Sequence, residues 1–439
     1  MPCLLEFLKD RQADEPVIGT KAGWMSAGEL QRRVRLLRSE AFASLRSQIV
    51  SLPFTDPIDF VEGLIALDGW ASGILLFDSR VESGLSKRYE DGVGAAWRVQ
   101  GSAARPITDA VAVQDVEKGS TRWVIPTSGT TGEPKLVSHT FASLCRTVKS
   151  RSNAAEPLIW GLLYEPTRFA GLQVLLQALG GGGSIIVPGD MQLVSAVELL
   201  ESLGCTALSA TPSFWRKLAF GGLLKHLSLR TVTLGGEAAD QRILDLLASQ
   251  FPKAVIRHIY ASTEAGVGFS VSDRVAGFPA TFLDQPPAGV ELRVRPDGML
   301  LLKPARVEQE FIGRAENLVG ADGWMETGDL VEQRGDRFHF LGRANGCINV
   351  GGQKVHPLSV EEVILGVPGV HAARVFGRRN PILGALVAAE VVVEPGRDTN
   401  MLQEEILRAC KAFLPRFQVP AVVSFVEQFQ LNTAGKLQR

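Results

Sequence analysis

The stretch PTSGTTGEPK, residues 126–135, surrounds two glycines with hydroxyl side chains and ends on a lysine. Glycines let the backbone approach an anion closely, so that several N–H groups can point at one phosphate, and hydroxyl groups add further donors. A kinase-like GxxxxGK[ST] loop would need a lysine directly after its last glycine and a hydroxyl after that lysine. Glu133 and Pro134 intervene here and Leu136 follows, so the stretch predicts a phosphate-binding loop of another kind. The residues of this loop that we expect to bind phosphate are Thr127, Ser128, Gly129, Thr130, Thr131, Gly132 and Lys135.

Composition limits the class of protein that carries this loop. The chain has 439 residues, of which 45% are hydrophobic, and 46 Lys and Arg face 47 Asp and Glu for a net charge of -1. This balance gives no support for a nucleic-acid or membrane-surface partner. The five cysteines are scattered and form no CxxC pair, as expected for reduced thiols. The first residues carry acidic Glu6 and Asp10, and no apolar run reaches the length of a membrane helix, so we expect a cytoplasmic protein with no membrane partner.

The elements that must position the loop follow from hydrophobic periodicity. Residues 48–79 show the order strand, helix, strand, and the pattern returns between residues 157 and 236, which predicts parallel sheets in an α/β body. Residues 180–183 are four glycines before a strand, which we interpret as a turn with no ligand. After residue 290 the strands are short and alternate, as in an antiparallel β-rich part, and the last hundred residues predict a separate small α+β domain.

Further motifs follow the loop in order. They are TVTLGGEAAD (231–240), HIYASTEAG (258–266), WMETGDL (324–330), LGRANGCINVGGQKVHPLSVEEV (341–363) and LNTAGKLQR (431–439). Together with the loop they resemble the adenylate-forming superfamily of acyl-CoA synthetases, carrier-loading adenylation domains and luciferases. The resemblance implies a large N-terminal AMP-binding domain over residues 1–344, built from several α/β subdomains, and a small mobile C-terminal domain over residues 345–439.

The chemistry that this resemblance implies has two steps. A carboxylate attacks the α-phosphate of ATP, pyrophosphate leaves, and the acyl-adenylate then passes its acyl group to a thiol. Since two anions must meet, the site needs positive charge and a metal. By resemblance, Lys436 bridges the carboxylate and the ATP oxygens, Thr263 contacts the α-phosphate and Glu264 holds Mg²⁺. The catalytic set is therefore Lys436, Thr263 and Glu264.

The resemblance also assigns the rest of the nucleotide site. Tyr260 would stack on adenine, Asp329 would accept hydrogen bonds from both ribose hydroxyls, and Arg343 would assist at the ribose. The remaining ATP-binding positions are Gly235, Gly236, Glu237, Ala261 and Ser262, besides the phosphate loop. Ala261 stands where the family usually has glycine, and Gln430 replaces a frequent proline ahead of the last motif.

The second half-reaction and the acid pocket are less defined. Gly351, Gly352 and Lys354 would line the thiol path, although a plain β-turn is the alternative, and Asn345 would be the hinge. The acid pocket would include Arg168, Phe169 and Gly171. Arg168 could meet an anionic group of the substrate or form an ordinary salt bridge.

The sequence therefore predicts an acid–thiol ligase that uses ATP and Mg²⁺ and most simply transfers the acyl group to CoA. A stand-alone enzyme that loads an acyl or aminoacyl group onto the phosphopantetheine of a carrier protein in trans is the first alternative. A non-catalytic nucleotide-binding homologue is the second. The identity of the acid and the oligomeric state stay open.

Overall fold

A computed structural model of the chain describes residues 3–107, 120–127, 135–148, 156–287, 289–305, 309–313, 318–430 and 437. Within these ranges the strands are β1 (Pro16–Thr20), β2 (Gly23–Ser26), β3 (Ile49–Phe54), β4 (Gly73–Asp78), β5 (Trp97–Gln100), β6 (Ala103–Pro106), β7 (Arg122–Thr127), β8 (Lys135–His139), β9 (Ile159–Leu162), β10 (Ser184–Ile186), β11 (Ala207–Ala210), β12 (Thr231–Gly235), β13 (Val255–Ser262), β14 (Gly266–Val271), β15 (Phe278–Pro279), β16 (Val290–Val294), β17 (Met299–Pro304), β18 (Glu310–Ile312), β19 (Met325–Arg334), β20 (Arg337–Arg343), β21 (Ile348–Val350), β22 (Gln353–Val355), β23 (Val370–Asn380), β24 (Gly384–Val393) and β25 (Val422–Phe425).

The helices of the same ranges alternate with strands up to residue 250 and are sparser afterwards. They are α1 (Glu6–Lys9), α2 (Ala27–Ser39), α3 (Pro57–Leu67), α4 (Ser83–Val93), α5 (Phe141–Cys145), α6 (Phe169–Gly180), α7 (Leu193–Ser202), α8 (Pro212–Phe220), α9 (Gln241–Gln250), α10 (Pro357–Leu365) and α11 (Thr399–Phe413). No helix among the described residues is both long and apolar enough to cross a membrane.

The first two sheets form the α/β body. The first has the order β14-β13-β12-β11-β9-β10-β1-β2, and the second has the order β18-β8-β7-β4-β3-β5-β6. Their central pairs are parallel, for example β3 with β4 and β11 with β12, whereas the pairs at the edges and β7 with β8 are antiparallel. The strand, helix, strand order predicted for residues 48–79 is confirmed as β3, α3 and β4. Asp56 caps α3 by accepting from the N–H groups of Ile58 and Asp59.

The third and fourth sheets follow along the chain. The third, β15-β20-β19-β17-β16, is antiparallel throughout, as the alternating pattern after residue 290 predicted. The fourth contains β22-β21-β24-β23, with β25 beside β24, and packs against α10 and α11. The predicted mixed α/β fold, with a large body, a β-rich part and a smaller α+β part, is confirmed. The predicted boundary after residue 344 falls between the end of β20 and the start of β21, and we keep it as a proposal.

Within the described residues, several contacts join the last part of the chain to the body. The Phe220 ring of α8 lies edge-on to His371 of β23 at 4.8 Å between centroids. The Arg242 side chain of α9 donates to the Val367 carbonyl at 3.3 Å, and Arg334 of β19 pairs with Glu362 of α10 at 2.9 Å. Of these residues, Phe220, His371 and Glu362 line the cavity described below.

The position of a residue around the axis of α11 does not by itself decide whether its side chain is buried. The helical spacing of the sequence places Leu402, Ile406, Cys410, Phe413 and Leu414 on one face, and the first three are buried. Phe413 is 78% exposed, because it lies in the last residue of the helix, where it borders a groove between α10 and α11.

The four-glycine run is a turn, as expected. α6 ends at Gly180, Gly182 has a φ of 74°, and β10 begins at Ser184. Gly183 packs so closely that an added Cβ would overlap the carbonyl oxygen of Leu158.

We therefore expect Gly183→Ala to lower the free energy of unfolding by about 1–3 kcal/mol, because backbone atoms must move to admit the methyl group. The midpoint of urea unfolding measures this change. Gly84→Ala in α4 is the matched control, since an added Cβ there meets no atom within 4 Å. Equal midpoints for the two variants would contradict the packing argument.

Candidate active site

A cavity of about 460 Å³ lies where the first sheet, the third sheet and the last part of the chain meet. Six residues that the sequence assigned to the nucleotide line it: Gly236, Glu237, Tyr260, Ala261, Asp329 and Arg343. Leu437, the residue after the predicted catalytic lysine, lines the same cavity. The tertiary structure thus brings together motifs that lie up to 200 residues apart in the chain.

Asp329 is the centre of a hydrogen-bond network in this cavity. The Tyr260 hydroxyl donates to its Oδ2 at 2.6 Å, and the Arg343 Nε lies 2.9 Å from its Oδ1. Arg343 also donates to the Thr327 carbonyl at 2.9 Å, and the Thr327 hydroxyl accepts from the Asp329 N–H at 3.0 Å. The β-register that places Asp329 opposite Arg343 makes this pair a product of the β19–β20 hairpin.

The electrostatics of this network keep the tyrosine neutral. Burial, together with the negative charge of Asp329, raises the pKa of Tyr260 well above its ordinary value. Its phenol is therefore a hydrogen-bond donor to the carboxylate at any physiological pH. A carboxylate has about four lone-pair sites, so an aspartate held in this way still has capacity for a hydroxyl group of a ligand.

The Tyr260 ring is itself stacked. Its centroid lies 5.2 Å from that of Phe269 and 5.1 Å from that of Phe340, with interplanar angles of 21° and 18°. Neither phenylalanine was singled out in the sequence, although FHFLG around Phe340 carries the alternation of a strand. The stacking of Tyr260 on adenine stays a prediction. An adenine ring would have to fit beside the two phenylalanine rings that stack on this tyrosine.

Glu237 lies in the turn after β12 and bonds to two separate parts of the chain. Its Oε2 accepts from the N–H of Ser213 at 2.9 Å, in the first turn of α8. Its Oε1 accepts from the N–H of Leu437 at 2.8 Å. The sequence had assigned Glu237 to the nucleotide, and no local signal indicated that it meets the C-terminal motif.

The ends of the phosphate loop are described, and residues 128–134 are not, so the predictions for Ser128, Gly129, Thr130, Thr131 and Gly132 lie outside the described residues. Thr127 ends β7 and Lys135 begins β8, and the two residues pair in the antiparallel register of a hairpin. The Thr127 hydroxyl is buried and has no hydrogen-bond partner among the described residues, which suits a donor to an anionic ligand. The Lys135 ammonium lies 4.9 Å from the centroid of the Phe311 ring.

Thr263 and Glu264 lie in the tight connection between β13 and β14. The Ser262 hydroxyl accepts from the N–H of Ala265 at 3.0 Å, and Gly266 has a φ of 70°, so the turn is well defined. Among the residues that the structure describes, no three His, Cys, Asp or Glu side chains form a metal cluster. One carboxylate beside substrate phosphates is nevertheless a usual environment for Mg²⁺, so Glu264 fits the role of a metal ligand that shares the ion with a nucleotide.

The predicted acid-pocket residues do not line this cavity. Arg168 donates to the Pro126 carbonyl at 2.9 Å, beside the start of the phosphate loop, and lies 3.3 Å from Glu165. Burial raises the pKa of Glu165 to about 7. Phe169 is buried against His139, and an added Cβ at Gly171 would overlap the Glu165 carbonyl, which makes this glycine a packing requirement.

The predicted thiol-path residues form a turn. Gly351 and Gly352 have φ values of 58° and 90° between β21 and β22, and the Asn349 side chain accepts from the Gly352 N–H at 2.8 Å. Lys354 is exposed, and Asn345 lies in the short turn after β20. None of the three predicted thiol-path residues borders the cavity, and neither does Asn345. In this arrangement Gly351 and Gly352 form the plain β-turn that was the alternative to a thiol path. Lys436 lies outside the described residues.

The cavity thus joins residues of the predicted nucleotide motifs to Leu437 of the C-terminal motif within an α/β fold, and comparison with known proteins identifies the class of enzyme. The sequence model of the AMP-binding enzyme family matches residues 74–308, and that of the AMP-binding enzyme C-terminal domain matches residues 359–436. The chain therefore belongs to the AMP-binding enzyme family.

Individual relatives refine the comparison. The chain is 29% identical to a 3-[(3aS,4S,7aS)-7a-methyl-1,5-dioxo-octahydro-1H-inden-4-yl]propanoyl:CoA ligase of Mycobacterium tuberculosis, over 79% of this chain and 69% of the relative. It is 27% identical to a 2-succinylbenzoate–CoA ligase of Listeria innocua, over 72% of this chain and 68% of the relative. The solved structure of the Bacillus subtilis o-succinylbenzoate CoA synthetase with ATP and magnesium ion superposes with a TM-score of 0.74, at 18% identity, over 100% of this chain and 98% of that chain. The predicted superfamily and the predicted class, an ATP-dependent acid–CoA ligase, are confirmed.

Asp329→Asn should lower kcat/KM for ATP about 10- to 100-fold, because a hydrogen bond to a charged group contributes about 1.5–3 kcal/mol. The loss should be smaller for 2′-deoxy-ATP, which lacks one of the two hydroxyls that Asp329 is predicted to bind. Steady-state kinetics with both nucleotides measure the ratio.

Glu326→Gln is the control for this substitution, because Glu326 lies on the same strand, is 63% exposed and pairs with Arg295 outside the cavity. If Asp329→Asn leaves the preference for ATP over 2′-deoxy-ATP unchanged, Asp329 does not bind the ribose.

Proposed function

We propose that this protein joins ATP and a carboxylic acid into an acyl-adenylate with release of pyrophosphate, and then transfers the acyl group to the thiol of CoA. The observation that carries the proposal is the shared cavity, in which Asp329, Tyr260, Glu237 and Leu437 come together from the nucleotide motifs and the C-terminal motif. ATP and the acid are the first substrates, CoA is the second, and Mg²⁺ accompanies ATP.

The ribose end of the nucleotide is held by Asp329. Its carboxylate is oriented by Tyr260 and Arg343 and would accept hydrogen bonds from the two ribose hydroxyls. A ribose held in this way would keep the α-phosphate near the turn that contains Thr263. The Gly235–Gly236 turn and Ala261 with Ser262 border the adenine side. Holding the reacting groups in this geometry replaces a bimolecular encounter with a local step.

The phosphate end is held by the loop from Thr127 to Lys135. Its hydroxyls and N–H groups would bind the β- and γ-phosphates and stabilise pyrophosphate as it leaves, with Lys135 as a supporting charge. Glu264 would hold Mg²⁺, whose positive charge offsets the charge on the phosphate oxygens. Lys436 would bridge the incoming carboxylate and the α-phosphate, where its charge is most useful as the new bond forms.

Transfer to the thiol needs a second arrangement of the small C-terminal domain. Gly351, Gly352 and Lys354 are our candidates for the thiol path, and Asn345 is our candidate for the hinge about which residues 345–439 turn relative to residues 1–344. A rotation resolves a conflict of space, because one cavity cannot hold both the adenylation lysine and the thiol. A carrier protein in place of CoA is the alternative acceptor, and consumption of free CoA with release of AMP distinguishes the two.

The acid is the least constrained part of the proposal. Arg168, Phe169 and Gly171 remain our candidates for the pocket, with Arg168 acting through the loop entrance at Pro126. The two curated relatives act on 2-succinylbenzoate and on a bicyclic propanoate, so we propose that the acid carries a ring. We also propose a cytoplasmic location, which suits five cysteines that are all free.

Isotope exchange between ATP and pyrophosphate, measured against a panel of cyclic, linear and amino acids, tests the function. Lys436→Ala should reduce exchange about 100- to 1000-fold, as expected for loss of a group that stabilises transition-state charge, and should spare thioester formation from supplied acyl-AMP. Absence of exchange with every acid would favour the non-catalytic homologue.

Lys135→Ala should act more mildly, through a raised KM for ATP, since it supports binding at the end of the loop. Lys411→Ala, an exposed substitution in α11, is the control for removing a lysine charge. If Lys135→Ala abolishes exchange and Lys436→Ala is nearly silent, the two roles are reversed.

A further inference from the structure

We infer that Glu237 is a positioning residue that holds Leu437 of the C-terminal motif in place for the adenylation half-reaction by accepting its N–H. The inference rests on the proposed function and assigns to Glu237 a role other than nucleotide contact. Each of the two oxygens of the Glu237 carboxylate accepts a backbone N–H, one from Ser213 at 2.9 Å and the other from Leu437 at 2.8 Å.

The two donors belong to elements that are far apart in sequence. Ser213 lies in the first turn of α8, which is also capped by the Thr211 hydroxyl, an acceptor for the Phe214 N–H at 3.1 Å. Leu437 is 200 residues beyond Glu237. The side chain therefore joins a fixed point of the body to the end of the chain, at the rim of the cavity that Asp329 and Tyr260 line.

The position of the second donor connects this contact to the chemistry. The N–H of Leu437 belongs to the peptide bond that links it to Lys436, so an acceptor for this group restrains the peptide adjacent to the proposed catalytic lysine. A contact over 200 residues must break if the small domain turns for thioester formation. A bond present in one arrangement and absent in the other shifts the equilibrium toward the first by the free energy of the bond.

A carboxylate is suited to this role and an amide is not. Glutamate offers two acceptor oxygens to two N–H donors, whereas glutamine offers one oxygen and one NH₂ group, which would face a donor with a donor. Glu237→Gln conserves size, removes the negative charge that strengthens both bonds and leaves one of the two N–H donors facing an NH₂ group. Leu437→Pro removes the donor N–H itself and leaves Lys436 in the chain.

The experiment measures the two half-reactions in Glu237→Gln, Leu437→Pro and the double variant. We expect each single variant to reduce kcat for ATP–pyrophosphate exchange about 10- to 100-fold, as for loss of a charge-assisted hydrogen bond. KM for ATP and thioester formation from supplied acyl-AMP should change less than about twofold, since the bond serves neither ATP binding nor the second arrangement. The double variant should be no slower than the slower single variant, because both remove the same bond.

Thr211→Ala is the matched control, because it weakens the same end of α8 without touching Leu437. It should lower stability and leave exchange unchanged. Normal exchange in Glu237→Gln, multiplied losses in the double variant, a raised KM for ATP with unchanged kcat, or an equal loss in Thr211→Ala would each overturn the inference. If the wild-type protein exchanges pyrophosphate with no acid, the proposed function fails as well, so the two failures are distinct.

Discussion

The carboxylate of Asp329 is the point on which the site depends, because its two principal partners come from different sheets. Tyr260 lies on β13 of the first sheet, and Arg343 lies opposite Asp329 on the third sheet. A partly buried charge requires partners, and here the partners are also the residues that border the nucleotide cavity. Satisfying this one charge therefore aligns two sheets at the place where a ribose would bind.

A second constraint comes from the order of the reaction. If Lys436 and a thiol path near Gly351 serve the same cavity, as we propose, they must do so in turn. Contacts between the C-terminal part and the body, such as Arg334 with Glu362 and Arg242 with Val367, would then break in every cycle. Glu237 differs from the other named contacts because its partner Leu437 directly follows Lys436, which is why we give it a role in the first half-reaction only.

Local sequence accounted for much of the architecture. The strand, helix, strand order of residues 48–79 is present as β3, α3 and β4, and the alternating strands after residue 290 pair as an antiparallel sheet. It also identified the family, since six motifs in order are far more specific than any one of them. It did not identify Phe269 and Phe340 as partners of Tyr260, nor Ser213 and Leu437 as partners of Glu237, because contacts across sheets leave no local pattern.

Residue type and order by themselves determined the class of this protein, its phosphate loop and the set of polar groups available for catalysis. The tertiary structure decided which of these groups share a cavity. Glu237 shows the difference: the sequence places it in a nucleotide motif, and the structure brings its two carboxylate oxygens to the N–H groups of Ser213 and Leu437. The reason is physical, since a side chain takes the partners that packing brings within hydrogen-bond distance, and those partners are set by elements distant in the chain.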